Sequence, residues 1–195
     1  MDTTLERRAV VAALLKNRGT LLVVAGLGSS AWDVASVEDN PLDFPLWGAM
    51  GGAAMIGLGL ANAQPTRRAL VIVGDGEMMM GIGSLATIGA QKPCNLSIAV
   101  LDNERHGETG MQKGLTAAGV DIAGIARASG FATVLTARDD HEFAPCVAAL
   151  RGGPGPALGV FKIKAVAAPR VLPPRDGAYL KDRFRENLLG KVAMR

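Results

Sequence analysis

The segment "VIVGDGEMMMG" (71–81) decides how the chain is read. Its apolar start belongs to the run "ALVIV" (69–73), which has the length and β-branched content of a buried strand. The run stops on Asp75, an acid with glycine on both sides. Downstream, a helix is expected from about Ser84 to Gln91, then a Lys-Pro break, then the strand "LSIAVL" (96–101). That is a βαβ unit. Farther out, 121–130 and 139–151 read as helices, "ATVLTA" (132–137) and "ALGVFKI" (157–163) as strands, and "GGPGP" (152–156) as a tight loop. Upstream, "TLLVVAG" (20–26) is another strand-length apolar run. Strands alternating with helices in this way predict an α/β fold, a doubly wound parallel sheet with helices on both faces.

A length of 195 residues suits one domain, 1–168, followed from "RVLPPRDG" (170–177) by an extended basic tail, 169–195. From Lys162 onward nine Lys/Arg, among them Lys191 and Arg195, face Asp176, Asp182 and Glu186. No aromatic residues are interleaved as in nucleic-acid binders, so a solvated or partner-facing tail is expected and no nucleic acid partner. Cys94 and Cys146 stand far apart without a CxxC; they read as buried small residues of a reducing, cytoplasmic compartment. At the N-terminus, "RRAVVAALLK" (7–16) is too short in its apolar part for an export signal, and Thr3-x-x-Glu6 predicts a capping box for a helix to about Asn17. Residues 36–45, with acids, Asn40, Pro41 and Pro45, read as turn. No charge occurs from Pro45 to Gln64. That length raises a membrane span, but glycines at 48, 51, 52, 57 and 59 favour a soluble helix pressed on a sheet, and no membrane partner is expected.

In doubly wound sheets ligands settle where the strands end and the loops diverge. Asp75 is at that edge, and so is Asn103, because "DNERHGETG" follows the strand 96–101 directly. A right-handed crossover between neighbouring strands sets a carboxylate beside an amide oxygen, a hard-cation site in outline. Mg²⁺ takes about six oxygens and only one or two protein carboxylates. Asp75, Asn103 and a main-chain carbonyl of the next loop supply three, leaving two diphosphate oxygens and a water. Gly74 and Gly76 then let the backbone approach the diphosphate and offer N–H groups. A type I turn accounts for Asp-Gly but not for the matched Asn103. At the end of the first strand, Ser29 and Ser30 either hold an anion or cap a short helix, while Gly26-x-Gly28 alone is no dinucleotide fingerprint.

"GDGEMMMGIGSLATIGAQKPCNLSIAVLDN" (74–103) resembles the GDG…N motif of thiamine diphosphate enzymes, and "GAMGGA" (48–53) the segment that holds their aminopyrimidine. "WGAMGGAAMIGLGLA", "GSLATIG" and "LDNERHGETG" are similar, more narrowly, to sulfopyruvate decarboxylase β subunits and phosphonopyruvate decarboxylases, a likeness covering roughly residues 20–165. The resemblance implies Mg²⁺ held by the Asp75 and Asn103 side chains and the Arg105 carbonyl. It places the Gly48 carbonyl on the cofactor's exocyclic amine, Met50 under the V-shaped cofactor, and the Gly76 and Glu77 amides on the diphosphate. Many of these enzymes carry serine where Glu77 stands, so this acid must point away, pair with a base or serve the metal shell.

The implied chemistry is decarboxylation of a small acidic 2-oxo acid by thiamine diphosphate and Mg²⁺. Alternatives are carboligation with the same cofactor, or a non-catalytic cofactor-binding or assembly subunit. In the family the activating glutamate comes from a second domain across a subunit interface, and 195 residues leave no room for it. The expectation is a β subunit inactive alone, completed in a hetero-oligomer by an α-type pyrimidine-domain subunit. His106 either faces the substrate or packs on its own turn. Met78, Met79 and Met80 line the cofactor or fill core.

Overall fold

The structure, a computed structural model, describes residues 3–190; Lys191 and Arg195 of the basic tail lie outside the described residues. β1 (Leu22–Ala25), β2 (Asp43–Pro45), β3 (Ala69–Gly74), β4 (Leu96–Asp102), β7 (Thr133–Ala137) and β8 (Ala157–Lys162) form one six-stranded sheet, ordered β2-β1-β3-β4-β8-β7. All its pairings are parallel. A two-stranded antiparallel ladder, β5 (Arg105–His106) with β6 (Gln112–Lys113), stands in the loop after β4. α1 (Arg7–Leu15), α2 (Ser29–Ala35) and α7 (Asp140–Gly152) contribute to the core on one face. α3 (Ala53–Ala63), α4 (Asp75–Met80), α5 (Ser84–Gln91) and α6 (Ile122–Ala128) do so on the other.

Alternation along the central strands builds both cores. Leu70, Ile72, Ala99 and Leu101 join the α1/α7 side, and Val71, Val73, Ile98 and Val100 the α3/α5 side. Burial on both faces is why β3 and β4 carry unbroken apolar runs. The small-residue reading holds at Gly57, where a Cβ would overlap Val71 Cγ2 and come within 3.2 Å of Leu96 Cδ1, so α3 lies close on the sheet. Among the described residues no helix is long and apolar enough to cross a membrane.

Several local expectations fail for tertiary reasons. Thr3 does not cap α1: its one hydroxyl proton serves either the Arg138 or the Lys162 main-chain oxygen while its oxygen accepts the Leu5 N–H, Glu6 makes no side-chain cap, and α1 ends at Leu15. The 36–45 turn contains β2, a three-residue edge strand whose one paired side is β1. Proline is tolerated there because an edge leaves its missing N–H unneeded. The apolar stretch from Leu46 is loop up to Gly52, with Ala49 (φ 57°) and Gly51 (φ 90°) left-handed, before α3 begins at Ala53. The extended tail ends in α8 (Gly177–Leu189), N-capped by Asp176. α8 lies on the chain's own β2 edge, with Leu180 and Phe184 buried, the Phe184 ring 5.5 Å from that of Phe44, and Arg183 paired with Asp39. Cys94 is exposed, contrary to expectation, and Cys146 is buried.

Candidate functional site

β3 and β4 pair in register, Gly74 opposite Leu101, so both chains emerge at the same sheet edge. After β3 the backbone passes straight into α4 with Gly74 at the N-cap; the type I turn is replaced by a helix. After β4 it opens into irregular loop, with Glu104 left-handed at φ 60°. A cavity of about 420 Å³ lies there, lined by every predicted site residue except Gly48. Gly48 is exposed, on the loop that delivers Met50 to the cavity.

Asp75 is 3 % exposed. Burial, then the negative charge of Asp102, raises its pKa to about 6, against a partly offsetting hydrogen bond from Thr116. Thr116 Oγ1 lies 3.1 Å from Asp75 Oδ2 and 2.9 Å from Asp102 Oδ1. A hydroxyl has one proton, so it serves only one of these carboxylates at a time. Asp102 is held from the other side by Lys162, Nζ to Oδ2 2.8 Å, and Lys162 also pairs with Glu104. Asp75 has no ion-pair partner among the described residues.

Asn103 Oδ1 accepts the Arg105 N–H at 2.9 Å, which fixes the amide and leaves its oxygen a second lone pair. The returning loop is clamped by Gly114 N–H to Glu104 O, 2.8 Å, and comes so close that a Cβ at Gly114 would be 3.0 Å from Asp75 Oδ2. At Gly76 a Cβ would stand 3.0 Å from His106 Nδ1 and 3.6 Å from Met50 Cε. The missing side chain therefore keeps the first turn of α4 open between these two. His106 packs against this first turn of α4, a different element from its own loop, and lines the cavity. The methionines divide: Met78 is core, while Met80, 67 % exposed, lines the cavity.

Glu77 turns its carboxylate against Gly26, where a Cβ would overlap it. Burial raises its pKa to about 7, moderated by the backbone amides of Ala53 and Gly51 at the entry to α3 and of Leu27 after β1. Neither oxygen makes a hydrogen bond of ordinary geometry. Ser29 is the first residue of α2, with Gly28 rather than a serine at the N-cap. Its hydroxyl donates to Glu108 at 3.2 Å, and Ser30 is buried. Sequence reasoning missed Arg7, Asp102, Thr116 and Lys162. Asp102 alone left a signal, as an acid closing an apolar run.

Residues 26–160 match the model of the thiamine pyrophosphate enzyme, C-terminal TPP binding domain. The chain is 36% identical to phosphonopyruvate decarboxylase of Streptomyces viridochromogenes, over 84% of this chain and 41% of that protein. It is also 36% identical to sulfopyruvate decarboxylase subunit beta of Methanothermobacter thermautotrophicus, over 87% of this chain and 88% of that subunit. The chain thus spans about two-fifths of the first relative and most of the second. The crystal structure of benzoylformate decarboxylase from Polynucleobacter necessarius superposes with a TM-score of 0.68 at 22% identity, covering 85% of this chain and 34% of that one, a likeness of fold. With the family model spanning most of its length and a parallel sheet whose strand ends open on one acid-bearing cavity, the chain belongs to the thiamine pyrophosphate enzymes, as their C-terminal TPP-binding domain.

Proposed function

We propose that this chain is the cofactor-binding β subunit of a Mg²⁺- and thiamine diphosphate-dependent decarboxylase of small acidic 2-oxo acids, sulfopyruvate or phosphonopyruvate in type. The observation that carries the reading is the extent of the likeness to a sulfopyruvate decarboxylase β subunit, 88% of which is covered. The residues present fit the group. Asp75 and Asn103 are hard-oxygen donors that line one cavity together with Arg105, and Asp75 is a buried carboxylate with no cationic side chain paired to it among the described residues, as a site for a divalent ion requires. When bound, thiamine diphosphate supplies a thiazolium carbon that attacks the 2-oxo group and a ring that takes up the electron pair left as CO₂ departs.

This chain's own groups then hold, orient and exclude. Asp75 and Asn103 would hold the metal, and the Gly76 and Glu77 amides, in the first turn of α4 where N–H groups lack intrahelical acceptors, would bind the diphosphate together with Gly74, Ser29 and Ser30. Met50, in the cavity lining, would support the cofactor, and the Gly48 carbonyl, on the exposed loop beside it, would accept from its amine. His106, beside Gly76, meets the acidic end of the substrate. Glu77 is turned to Gly26 and α3, which supports an activating glutamate on an α-type pyrimidine-domain subunit. The exposed outer side of α8, with Tyr179, is the proposed partner-facing part of the tail.

Co-expression with an α-type subunit and product analysis over a panel of 2-oxo acids tests the reading. Expected are CO₂ release from sulfopyruvate or phosphonopyruvate and its loss in Asp75→Ala. Turnover unchanged by Asp75→Ala would make this a non-catalytic subunit, and carboligation products would replace the decarboxylase assignment.

A further inference from the structure

Arg7, the first residue of α1, lines the same cavity as Ser29, Ser30 and Asn103, although it is only 9 % exposed. Its Nε lies 3.0 Å from Asp33 Oδ2, while the neighbouring Arg8 directs its own Nε to Asp33 Oδ1 at 3.2 Å. Asp33 is fully buried. One carboxylate between two guanidinium groups leaves a surplus positive charge, and the two arginines place it differently. Arg8 is about one-third exposed and reaches the Pro169 carbonyl at the surface. Arg7 makes no hydrogen bond among the described residues, and of its guanidinium nitrogens only Nε is sealed from solvent. The other two guanidinium nitrogens thus have no protein partner among the described residues, on a side chain that borders the cavity.

Burying a guanidinium without satisfying its donors is costly, so a group held this way marks the place of an anion. The fork of an arginine matches the oxygens of a phosphate two at a time, and one whose Nε is already anchored loses little freedom on binding. We infer that Arg7 binds the terminal phosphate of the diphosphate, supplying from α1 a cationic contact additional to the metal. The inference rests on the thiamine diphosphate reading above. It assigns to the N-terminal helix, which lies outside the matched family segment of residues 26–160, a direct part in the site.

The test is titration of the full-length chain with inorganic pyrophosphate in Mg²⁺, by calorimetry, for wild type, Arg7→Gln, Arg7→Lys, Arg8→Gln and Asp75→Ala. Expected are a loss of about ten- to a hundredfold in pyrophosphate affinity for Arg7→Gln, typical of a removed charge-assisted contact, and a smaller loss for Arg7→Lys. Arg8→Gln, which gives up the same Asp33 partner without touching the cavity, should stay within about twofold. Equal losses in Arg7→Gln and Arg8→Gln would mean that Arg7 acts only by packing on Asp33, and would overturn the inference. Wild-type affinity in Arg7→Gln beside a loss in Asp75→Ala would overturn it while leaving the cofactor reading intact. Absence of pyrophosphate binding in wild type, or indifference to Asp75→Ala, would remove both. Should Arg7→Gln not fold, phenylglyoxal modification of wild type followed by peptide mass analysis decides: Mg²⁺-pyrophosphate must protect Arg7 and not Arg8, and lack of protection refutes the contact.

Discussion

β3 and β4 lie side by side, are buried on both faces, and end at the same edge on buried aspartates that share one threonine hydroxyl, yet the two ends are built for opposite purposes. Asp102 is neutralised within the chain by Lys162 from β8, and the loop that follows is tied down by side chains: Asp102 Oδ1 accepts the Glu104 N–H and Asn103 Oδ1 the Arg105 N–H. Asp75 meets no cation among the described residues, and its strand runs into a helix anchored by Met78, 2 % exposed. Two acids of one residue type, in one environment, thus separate into a structural ion pair and an electrostatic deficit. The deficit at Asp75 supports the proposed divalent-cation site there, since a buried carboxylate without a counter-charge is costly until a cation pairs with it.

Exchanging the two acids is the strongest way to break this comparison. Asp75→Asn should reduce Mg²⁺-dependent cofactor binding more than about a hundredfold while leaving the metal-free melting temperature unchanged or raised, since it removes an uncompensated buried charge. Asp102→Asn should do the reverse, costing roughly 1–3 kcal/mol of stability, less than for a sealed pair because Lys162 is partly exposed and keeps Glu104, with binding changed less than about tenfold. Binding titrations and calorimetric melts without metal read the two effects separately, and similar profiles for both variants would erase the distinction. The pH dependence sharpens it. Asp75 titrates near 6 in the folded chain against an ordinary 3.8, so its destabilising contribution without metal grows from about pH 4 to about 6 and is constant above. Mg²⁺ needs the carboxylate, so affinity should fall about tenfold per pH unit below about 6 and level off above it. Asp102→Asn removes the neighbouring charge and should move that break to lower pH.

Glu77 extends the deficit along α4 as a second buried acid without a cation among the described residues. Its pKa is raised from 4.5 to about 7, so the folded chain's penalty appears above pH 4.5 and is complete above about 7. Glu77→Gln should therefore match wild type in melts near pH 4.5 and become more stable as pH rises, by up to roughly 3 kcal/mol at pH 8, since each tenfold change in proton affinity is worth about 1.4 kcal/mol. A constant difference across this range would mean that Glu77 is not the titrating group. Thr116→Val, which removes the single proton the two aspartates share, should cost about 1 kcal/mol and weaken Mg²⁺ binding about three- to tenfold in the same assays; an unchanged Mg²⁺ affinity would show that the hydroxyl does not orient Asp75.

The legible parts of the molecule are those whose cause is local. α5 runs from Ser84 to Gln91 as its pattern predicts, and β3 and β4 follow from apolar runs, so the edge position of Asp75 and Asn103 could be reasoned from topology. α4 could not be: a glycine on each side of Asp75 signals a turn, and the helix forms because Met78 buries under the sheet. β2 has three residues, too few for any periodicity, and α8 is held by Phe184 against Phe44, a contact between distant segments. The site divides the same way. Thr116 reaches Asp75 across 41 positions and Lys162 reaches Asp102 across 60, and neither belongs to a local motif. Thr3 shows the converse: its capping pattern is intact in the sequence, but two carbonyls on other elements claim the hydroxyl.

Glu108 tests the smallest part of the contrast, the loop side. It is exposed, lines the cavity, accepts from the Ser29 hydroxyl, and lies so near Gly28 that a Cβ there would be 3.2 Å from its Cγ. A carboxylate in that position occupies a donor that the diphosphate would use and repels the phosphate itself. Being solvated and carried on an exposed loop, it is a weak competitor, in contrast to the fixed acids at the strand ends. Glu108→Gln should therefore tighten Mg²⁺-thiamine diphosphate binding by only about twofold, with the gain shrinking as salt is raised and no change in the metal-free melting temperature. A tenfold loss of affinity instead would make Glu108 a ligand of the site, and the loop after β4 would then carry a metal-holding acid of its own, in competition with Asp75 for that role.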